Sequence, residues 1–155
     1  MRALLSAMLV WVGACASQGS YVTDHGTTYT GNIAWQTQAS AEAQELQAAD
    51  ILSRQLYLDR ASLLTSIAGT VGYGKASGDL YRRDGSAIVG LTHLNETPIR
   101  IEVAEGYGAM CAIQGATWRH EVAHVMLFKA GVLAGDAEHV LPIWDALNEW
   151  TIFCF

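Results

Sequence analysis

The amino-acid sequence predicts an α+β fold with a long N-terminal helix, a small mixed or antiparallel sheet and two later helices. Three observations support this prediction. Apolar residues recur at helical spacing between residues 40 and 68. Residues 99–103 alternate apolar and charged side chains with the period of a strand. Residues 120–124 read H-E-V-A-H within an apolar stretch that has plausible helix ends, and another apolar segment closes the chain.

The composition indicates one packed domain. Of the 155 residues, 51% are hydrophobic and 15% are charged, which argues against an intrinsically disordered chain. The formal net charge is −6, and the sequence has no cluster of Lys and Arg. Nucleic acid is therefore not expected as the main partner, whereas the charge is compatible with binding a cation.

The first fifteen residues have the pattern of an export signal. Arg2 precedes an apolar run at 3–12 that is too short to span a bilayer permanently. Residues 12–15 read Val-Gly-Ala-Cys, which resembles the lipobox of bacterial lipoproteins. The resemblance implies removal of residues 1–14, a lipid on Cys15, and a place in the cell envelope, on the periplasmic side of the membrane or at the cell surface. An ordinary secretory signal cleaved nearby is the alternative.

Residues 15–39 lack sustained periodicity, so the sequence predicts a flexible tether there and a folded domain at 40–155. His25, within the tether, is expected to be solvated. The domain begins with a helix that Ser40 caps and that continues to about residue 68. This helix is interpreted as scaffold.

A hairpin is predicted after a glycine-rich loop at residues 69–78. Its strands are Leu80–Arg83 and Ala87–Leu91, on either side of Asp84-Gly85, a dipeptide typical of hairpin turns. His93 follows the second strand and is expected at the surface.

The third predicted strand, Ile99–Val103, has the clearest alternation. Its apolar side chains should face the core, with Arg100 and Glu102 directed outward. Together with the hairpin it would make a small sheet between the first helix and the motif.

The H-E-x-x-H motif lies in a predicted helix over residues 118–130. Thr117 is a plausible N-cap, and Gly131 is a natural C-terminal stop. His120 and His124 are four residues apart, so they share one helix face about a turn from each other. The surroundings of the motif are therefore those that metal binding requires.

This spacing suits one Zn²⁺ per chain, with Glu121 facing a metal-bound water. A catalytic zinc typically has three protein ligands and one water, so a third ligand is expected downstream. The candidates are Asp136, Glu138 and His139.

The stretch from residue 120 to residue 147 resembles the end of the small minimal zincins, the SprT-like and WLM-type metallopeptidases. In those proteins an H-E-x-x-H helix precedes a third histidine and, about five residues later, an aromatic residue. His139 and Trp144 match that pattern. The resemblance implies a zincin-like fold, a zinc ion and peptide hydrolysis. The export leader is foreign to the cytosolic and nuclear members, so their role in DNA repair is not implied.

Pro142 favours His139 as the third ligand. Its ring would clash inside a helix begun at Asp136, so the last helix should start near residue 141 and leave His139 in the turn before it. Glu138 is the alternative ligand. Either acidic residue is also a candidate to accept the N–H of a ligating histidine and fix its tautomer.

These parts imply a mechanism. Zinc would acidify its bound water and polarise a peptide carbonyl, and Glu121 would take the proton and return it to the leaving amine. The strand Ile99–Val103 is predicted to bind an extended substrate by main-chain hydrogen bonds. Tyr107 is a candidate oxyanion stabiliser, although a tyrosine in a glycine loop is more often structural.

The chain has three cysteines, and lipidation of Cys15 would leave an even pair. In an exported protein, Cys111 and Cys154 are then expected to form a disulfide. Its loop of about 44 residues would contribute about 4 kcal/mol in the chain-entropy account.

The sequence therefore predicts a zinc-dependent peptidase of the cell envelope, anchored to the membrane by lipid and acting on peptides or proteins. One alternative is a non-catalytic zinc-binding lipoprotein that acts as an envelope interaction module. Another is a small surface lipoprotein, of host or phage origin, that acts by interaction alone. Glu121 favours catalysis, because a structural zinc site does not need a general base.

Overall fold

The computed structural model describes residues 19–31, 38–75, 80, 85, 88–104, 111–132, 139 and 142–148, with side chains for all of these except 19, 31, 75 and 111–116. In this part of the chain, a mixed five-stranded sheet and four helices confirm the α+β prediction. The elements are β1 (Gly19–Val22), β2 (Thr28–Gly31), α1 (Gln38–Leu56), α2 (Arg60–Ser66), β3 (Val71–Lys75), β4 (Gly90–His93), β5 (Arg100–Ala104), α3 (Cys111–Lys129) and α4 (Ile143–Asn148). None of the helices described is long and apolar enough to cross a membrane.

The sheet has the strand order β1-β2-β3-β5-β4. β1 and β2 form an antiparallel hairpin, β3 pairs in parallel with both β2 and β5, and β4 pairs antiparallel with β5. Among the residues that the structure describes, strand β5 is therefore interior and β4 is an edge strand. The edge position of β4 matters because β4 contacts the H-E-x-x-H helix.

The prediction of a flexible tether over residues 15–39 is wrong for residues 19–31, which form the β1–β2 hairpin. Tyr21 and Tyr29 stack with ring centroids 5.7 Å apart, and Tyr29 is 1% exposed against the edge of Trp118. Each strand has only four residues and is rich in Gly, Ser and Thr. Such a segment is too short for an alternating pattern to distinguish it from a loop. The two aromatic anchors make these residues part of the core.

His25 is not the solvated tether residue that the sequence predicted. It lies in the turn between β1 and β2, and its Nδ1 is 2.8 Å from Oε2 of Glu45 on α1. The Thr27 hydroxyl donates to the other carboxylate oxygen of Glu45, which is fully buried. Burying a carboxylate is costly unless hydrogen bonds compensate it, and this cluster supplies them. It fastens the hairpin to α1.

The long N-terminal helix is divided in two. α1 ends at Leu56, and Tyr57 has a φ of 57°, a left-handed conformation that interrupts the helix. Asp59 then caps α2 by accepting a hydrogen bond from the Ser62 main-chain N–H at 2.7 Å. The prediction of a single helix capped by Ser40 is therefore wrong. α1 begins at Gln38, and the Asp59 cap starts a second helix within the stretch of helically spaced apolar residues.

The predicted glycine-rich loop contains the central strand β3. A Cβ atom on Gly72 would lie 2.6 Å from the ring of Trp118, so only glycine lets this indole approach the strand so closely. Glycine at this position, which indicated a loop in the sequence, is required for the close packing between β3 and α3.

The predicted alternation in β5 is confirmed for its apolar residues: Ile99, Ile101 and Val103 are all buried. The outward position of Glu102 is wrong, since its side chain is 6% exposed and is bonded to the Arg100 guanidinium. Of the predicted hairpin, the structure describes Leu80, Gly85 and residues 88–91, and the strand here begins only at Gly90.

The motif helix begins six residues before the predicted cap, so Thr117 lies inside α3 rather than at its N-terminus. Its end is as predicted. Gly131 has a φ of 70°, and the Val132 N–H donates to the Leu127 carbonyl at 3.0 Å. The side of α3 facing the core carries Trp118, Val122, Ala123, Val125 and Met126, all fully buried.

Candidate metal centre

Helix α3 brings two imidazoles of the motif together. His120 and His124 project from the same face one turn apart, and their Nε2 atoms are 3.1 Å apart. His139, fifteen residues beyond His124, closes the group from a separate segment of the chain. Its Nε2 lies 3.0 Å from that of His120 and 3.2 Å from that of His124.

The three Nε2 atoms form a nearly equilateral triangle, close enough to bind one metal ion. A neutral imidazole carries a single N–H, so three converging ring nitrogens cannot all be satisfied by one another. A cation between them satisfies all three lone pairs. Glu138, the alternative third ligand, and Asp136 lie outside the described residues.

Asn148 sets the tautomer of His120. The Nδ1 atom of His120 is 2.8 Å from the side-chain oxygen of Asn148 at the end of α4. Donation of the Nδ1 proton to that oxygen leaves the Nε2 lone pair directed at the other two histidines. Asn148 was not predicted from the sequence, because nothing in the pattern of α4 indicates which helix its last residue meets.

Trp144 packs against all three histidines. Its ring centroid lies 4.6 Å from His120, 4.4 Å from His124 and 4.6 Å from His139, and the side chain is 2% exposed. The indole both excludes water and limits the rotation of the imidazoles. It is the aromatic residue that the sequence pattern placed five positions after His139.

Burial keeps the two motif histidines uncharged. It lowers the pKa of His120 to about 4, against a weaker opposing effect of the Asn148 hydrogen bond. It lowers the pKa of His124 to about 3, and the neighbouring His120 and His139 act in the same direction. Both rings are neutral at pH 7, the protonation state in which histidine binds metal.

The carboxylate of Glu121 is held by the edge strand. The Thr92 hydroxyl lies 2.6 Å from Oε2 and 3.2 Å from the main-chain oxygen of the same glutamate. A Cβ atom on Gly90 would come within 2.5 Å of Oε1, so this glycine leaves the space that the carboxylate occupies. A glycine inside a strand often marks such a close approach, and that signal was available in the sequence. The pairing with Thr92 was not.

Arg119 joins the helices behind the site. Its side chain is 2% exposed, and its Nε donates to the Leu147 main-chain oxygen at 2.8 Å. One terminal nitrogen donates to the side-chain oxygens of Gln47 and Gln44 on α1, at 2.6 and 3.3 Å. Arg119 therefore connects α1, α3 and the end of α4, where Asn148 meets His120.

Several residues singled out in the sequence lie outside the described part of the chain: Cys15, Tyr107 and Cys154. The backbone of Cys111 begins α3, but its side chain is not described, so the disulfide and the oxyanion role stay predictions. The prediction that the strand Ile99–Val103 binds an extended substrate is wrong, because the sheet topology leaves that strand no room for a peptide. β5 pairs with β3 on one side and β4 on the other, so it has no free edge.

Comparison with protein-family models, with curated proteins and with solved structures finds no match. The chemistry of the site therefore rests on its own geometry. Three imidazoles converge on one point, and the buried side chain of Glu121 follows directly after the first of them.

Proposed function

We propose that this protein is a zinc-dependent peptidase of the zincin type. The observation that supports it is the triangle of Nε2 atoms, with sides of 3.0, 3.1 and 3.2 Å. Nitrogens about 2.0–2.1 Å from a tetrahedral zinc lie roughly 3.3 Å apart, so the three side chains need only a small adjustment to bind it. Three imidazoles and one open position are also the ligand set of a catalytic rather than a structural zinc.

Bound zinc would supply an activated water and polarise the scissile carbonyl. Glu121 is the general base that takes a proton from the water as the new C–O bond forms. It gives that proton to the amine as the C–N bond breaks. The hydrogen bond from Thr92 keeps the carboxylate in one orientation for both transfers.

The substrate is proposed to lie along β4. This strand pairs with β5 on one side only, and no strand covers its other edge within the described residues. An extended peptide can add to such an edge by main-chain hydrogen bonds. β4 also carries Thr92 and Gly90, so a peptide bound there lies beside Glu121.

The family and the location belong to the same proposal. The spacing of His120, His124, His139 and Trp144 is similar to that of SprT-like and WLM-type minimal zincins, and the α+β fold is compatible with a zincin. The leader and Cys15 favour a lipid-anchored protein of the cell envelope. The substrates are then peptides or proteins on the periplasmic side of that membrane or at the cell surface.

The test compares wild type with Glu121→Gln on a randomised peptide library, with zinc added and with zinc removed by chelation. We expect one zinc per chain in both proteins and zinc-dependent cleavage by wild type only. One equivalent of bound zinc with the same cleavage pattern in both proteins would refute the peptidase. It would favour the alternative, a non-catalytic zinc-binding interaction module.

The ligand assignment has its own test. His139→Ala should weaken zinc binding far more than Glu138→Ala, measured by competition with a chromogenic chelator. The opposite ranking would exclude the three-histidine site and make Glu138 the ligand.

A further inference from the structure

We infer that the cavity at the C-terminal end of β4 is a substrate subsite for a long basic side chain, Lys or Arg. The inference rests on the proposed peptidase function and names its substrate class. The cavity has a volume of about 410 Å³, which falls in the range of ligand-binding clefts. It is lined by Thr92, His93, Leu94, Asn95, Glu96 and Phe128.

The cavity adjoins the proposed reaction centre on two sides. Thr92, which lines it, is the residue whose hydroxyl bonds the Glu121 carboxylate. Phe128, which also lines it, is one helical turn after His124 and so lies on the same face of α3. The cavity is therefore bounded both by the partner of the proposed general base and by the C-terminal part of α3.

The charge around the cavity is negative. Glu96 and Glu102 share one guanidinium, that of Arg100, which bonds both carboxylates. His93, which also lines the cavity, lies 3.5 Å from a carboxylate oxygen of Glu96 and 3.6 Å from one of Glu102. With an uncharged imidazole there, two carboxylates against one guanidinium leave one excess negative charge. The hydrogen bond from Arg100 also lowers the pKa of Glu96, so this exposed carboxylate is ionised at neutral pH. The C-terminal end of a helix, here that of α3, adds partial negative charge.

An aromatic surface completes the subsite. The Phe128 side chain is 44% exposed, unusual for a phenylalanine on a helix whose preceding residues are buried. An aliphatic stem can pack on this ring while the charged end of Lys or Arg reaches toward Glu96. A long acidic side chain would fit the same space but would meet like charge.

The direction of β4 determines which residue of a bound peptide enters the cavity. A peptide antiparallel to β4 places its N-terminal part beside the C-terminal end of that strand. The catalytic carboxylate lies beside Gly90 and Thr92, and the cavity follows from His93 onward. The basic residue is then on the N-terminal side of the cleaved bond, about two or three positions before it.

The test uses decapeptide mixtures that differ only in the residue at that position: Lys, Arg, Gln or Glu. Cleavage rate is measured with the zinc-loaded wild type, and affinity is measured with zinc-loaded Glu121→Gln. We expect Lys and Arg to exceed Glu by about tenfold in both readouts, with Gln between them. Equal values for Lys and Glu in both readouts would overturn the subsite.

Variants of the subsite separate charge from folding. Glu96→Gln should remove most of the preference, and Glu96→Lys should reverse it toward Glu. The matched control is Asp50→Asn, which removes another exposed carboxylate, on α1, that is paired with an arginine, Arg60 of α2. It should leave the preference unchanged. An unchanged preference in both Glu96 variants would also overturn the inference.

The two readouts also separate this inference from the proposed function. Selective binding by Glu121→Gln without cleavage by wild type would support the subsite and refute the peptidase. Cleavage and binding without selectivity would refute the subsite alone.

Discussion

The hydroxyl of Thr92 on the edge strand lies 2.6 Å from the carboxylate oxygen Oε2 of Glu121 on the motif helix. This bond connects the sheet to the residue proposed to move the proton. The same strand is proposed to bind the substrate, so peptide docking and orientation of the base depend on one element. The first two predictions concern this contact.

Thr92→Val should reduce kcat while leaving zinc affinity unchanged. A hydrogen bond to a charged group contributes about 1.5–3 kcal/mol, so its loss should slow the reaction about 10- to 100-fold. Thr92→Ser, which keeps the hydroxyl, should recover most of the rate. Steady-state kinetics and zinc competition give the two values. Equal rates for Thr92→Val and Thr92→Ser would show that the hydroxyl has no role.

Gly90→Ala should impair catalysis by displacing the carboxylate of Glu121. The new methyl group would lie 2.5 Å from Oε1 and 2.6 Å from a methyl of Thr117, closer than carbon contacts allow. We expect a loss of stability of about 1–3 kcal/mol by denaturant unfolding, together with a fall in kcat. Gly85→Ala is the control for a loss of stability that does not touch Glu121: its Cβ meets nothing within 4 Å, but its φ of 86° strains an alanine. It should lose stability and keep kcat. Full activity of Gly90→Ala would contradict the observed position of Glu121.

Asn148→Ala should weaken zinc binding about 10- to 100-fold, the usual effect of removing the partner that orients a ligating histidine. The reason is that His120 would lose the acceptor for its Nδ1 proton. Asn148→Asp keeps an acceptor oxygen and should bind zinc at least as well as wild type. Chelator competition measures both. Similar affinities for the Ala and Asp variants would exclude Asn148 as the orienting group.

Arg119→Met should destabilise the protein by about 3 kcal/mol, because it removes several hydrogen bonds from a buried guanidinium. It should also lower zinc affinity, since α4 would lose the bond that holds Leu147 and the neighbouring Asn148 in place. Arg54→Met is the control, because this exposed arginine of α1 donates to the Asp50 main-chain oxygen of its own helix. Unfolding and zinc competition together test the effect. Unchanged zinc affinity would restrict Arg119 to a purely structural role.

The cap of α2 should show a defined pH dependence. The hydrogen bonds from Ser62 lower the pKa of Asp59 below its ordinary value of 3.8. The folded state therefore binds the proton less readily, and the cap stabilises the protein fully above pH 3.8 and progressively less as the pH falls through the lower folded value. Asp59→Asn keeps the cap without the charge. In chelated samples, the difference in unfolding midpoint between the two proteins should shrink on acidification. A constant difference would contradict the prediction.

The sequence predicted which histidines come together at the site better than it predicted the residues that hold the site in place. His120, Glu121 and His124 follow from helical spacing alone. His139 required a resemblance and the position of Pro142, and the structure brings it within 3.2 Å of both motif histidines. Thr92 and Asn148 were missed, because contacts between distant elements leave no periodic signal in one sequence.

The fold shows the same difference between local patterns, which the sequence reveals, and contacts between distant elements, which it does not. The alternation in residues 99–103 and the stop at Gly131 are local patterns, and they predicted β5 and the end of α3. Strand β3 and the β1–β2 hairpin were read as loop and tether. Their glycine content is unfavourable for strands in general, and the packing of Gly72 and Tyr29 against Trp118 explains it. The division of the first helix at Tyr57 likewise depends on the Asp59 cap, which the spacing of apolar residues does not reveal.

The early start of the sheet determines how far an anchored molecule can extend from its membrane. Strand β1 begins at Gly19, and the hairpin that it opens is fastened to α1 through His25 and Glu45. With a lipid on Cys15, the covalent link to the folded body is at most about 14 Å long. The folded domain would then lie close against the bilayer, and a peptidase held there would select substrates by their height above the membrane as well as by sequence.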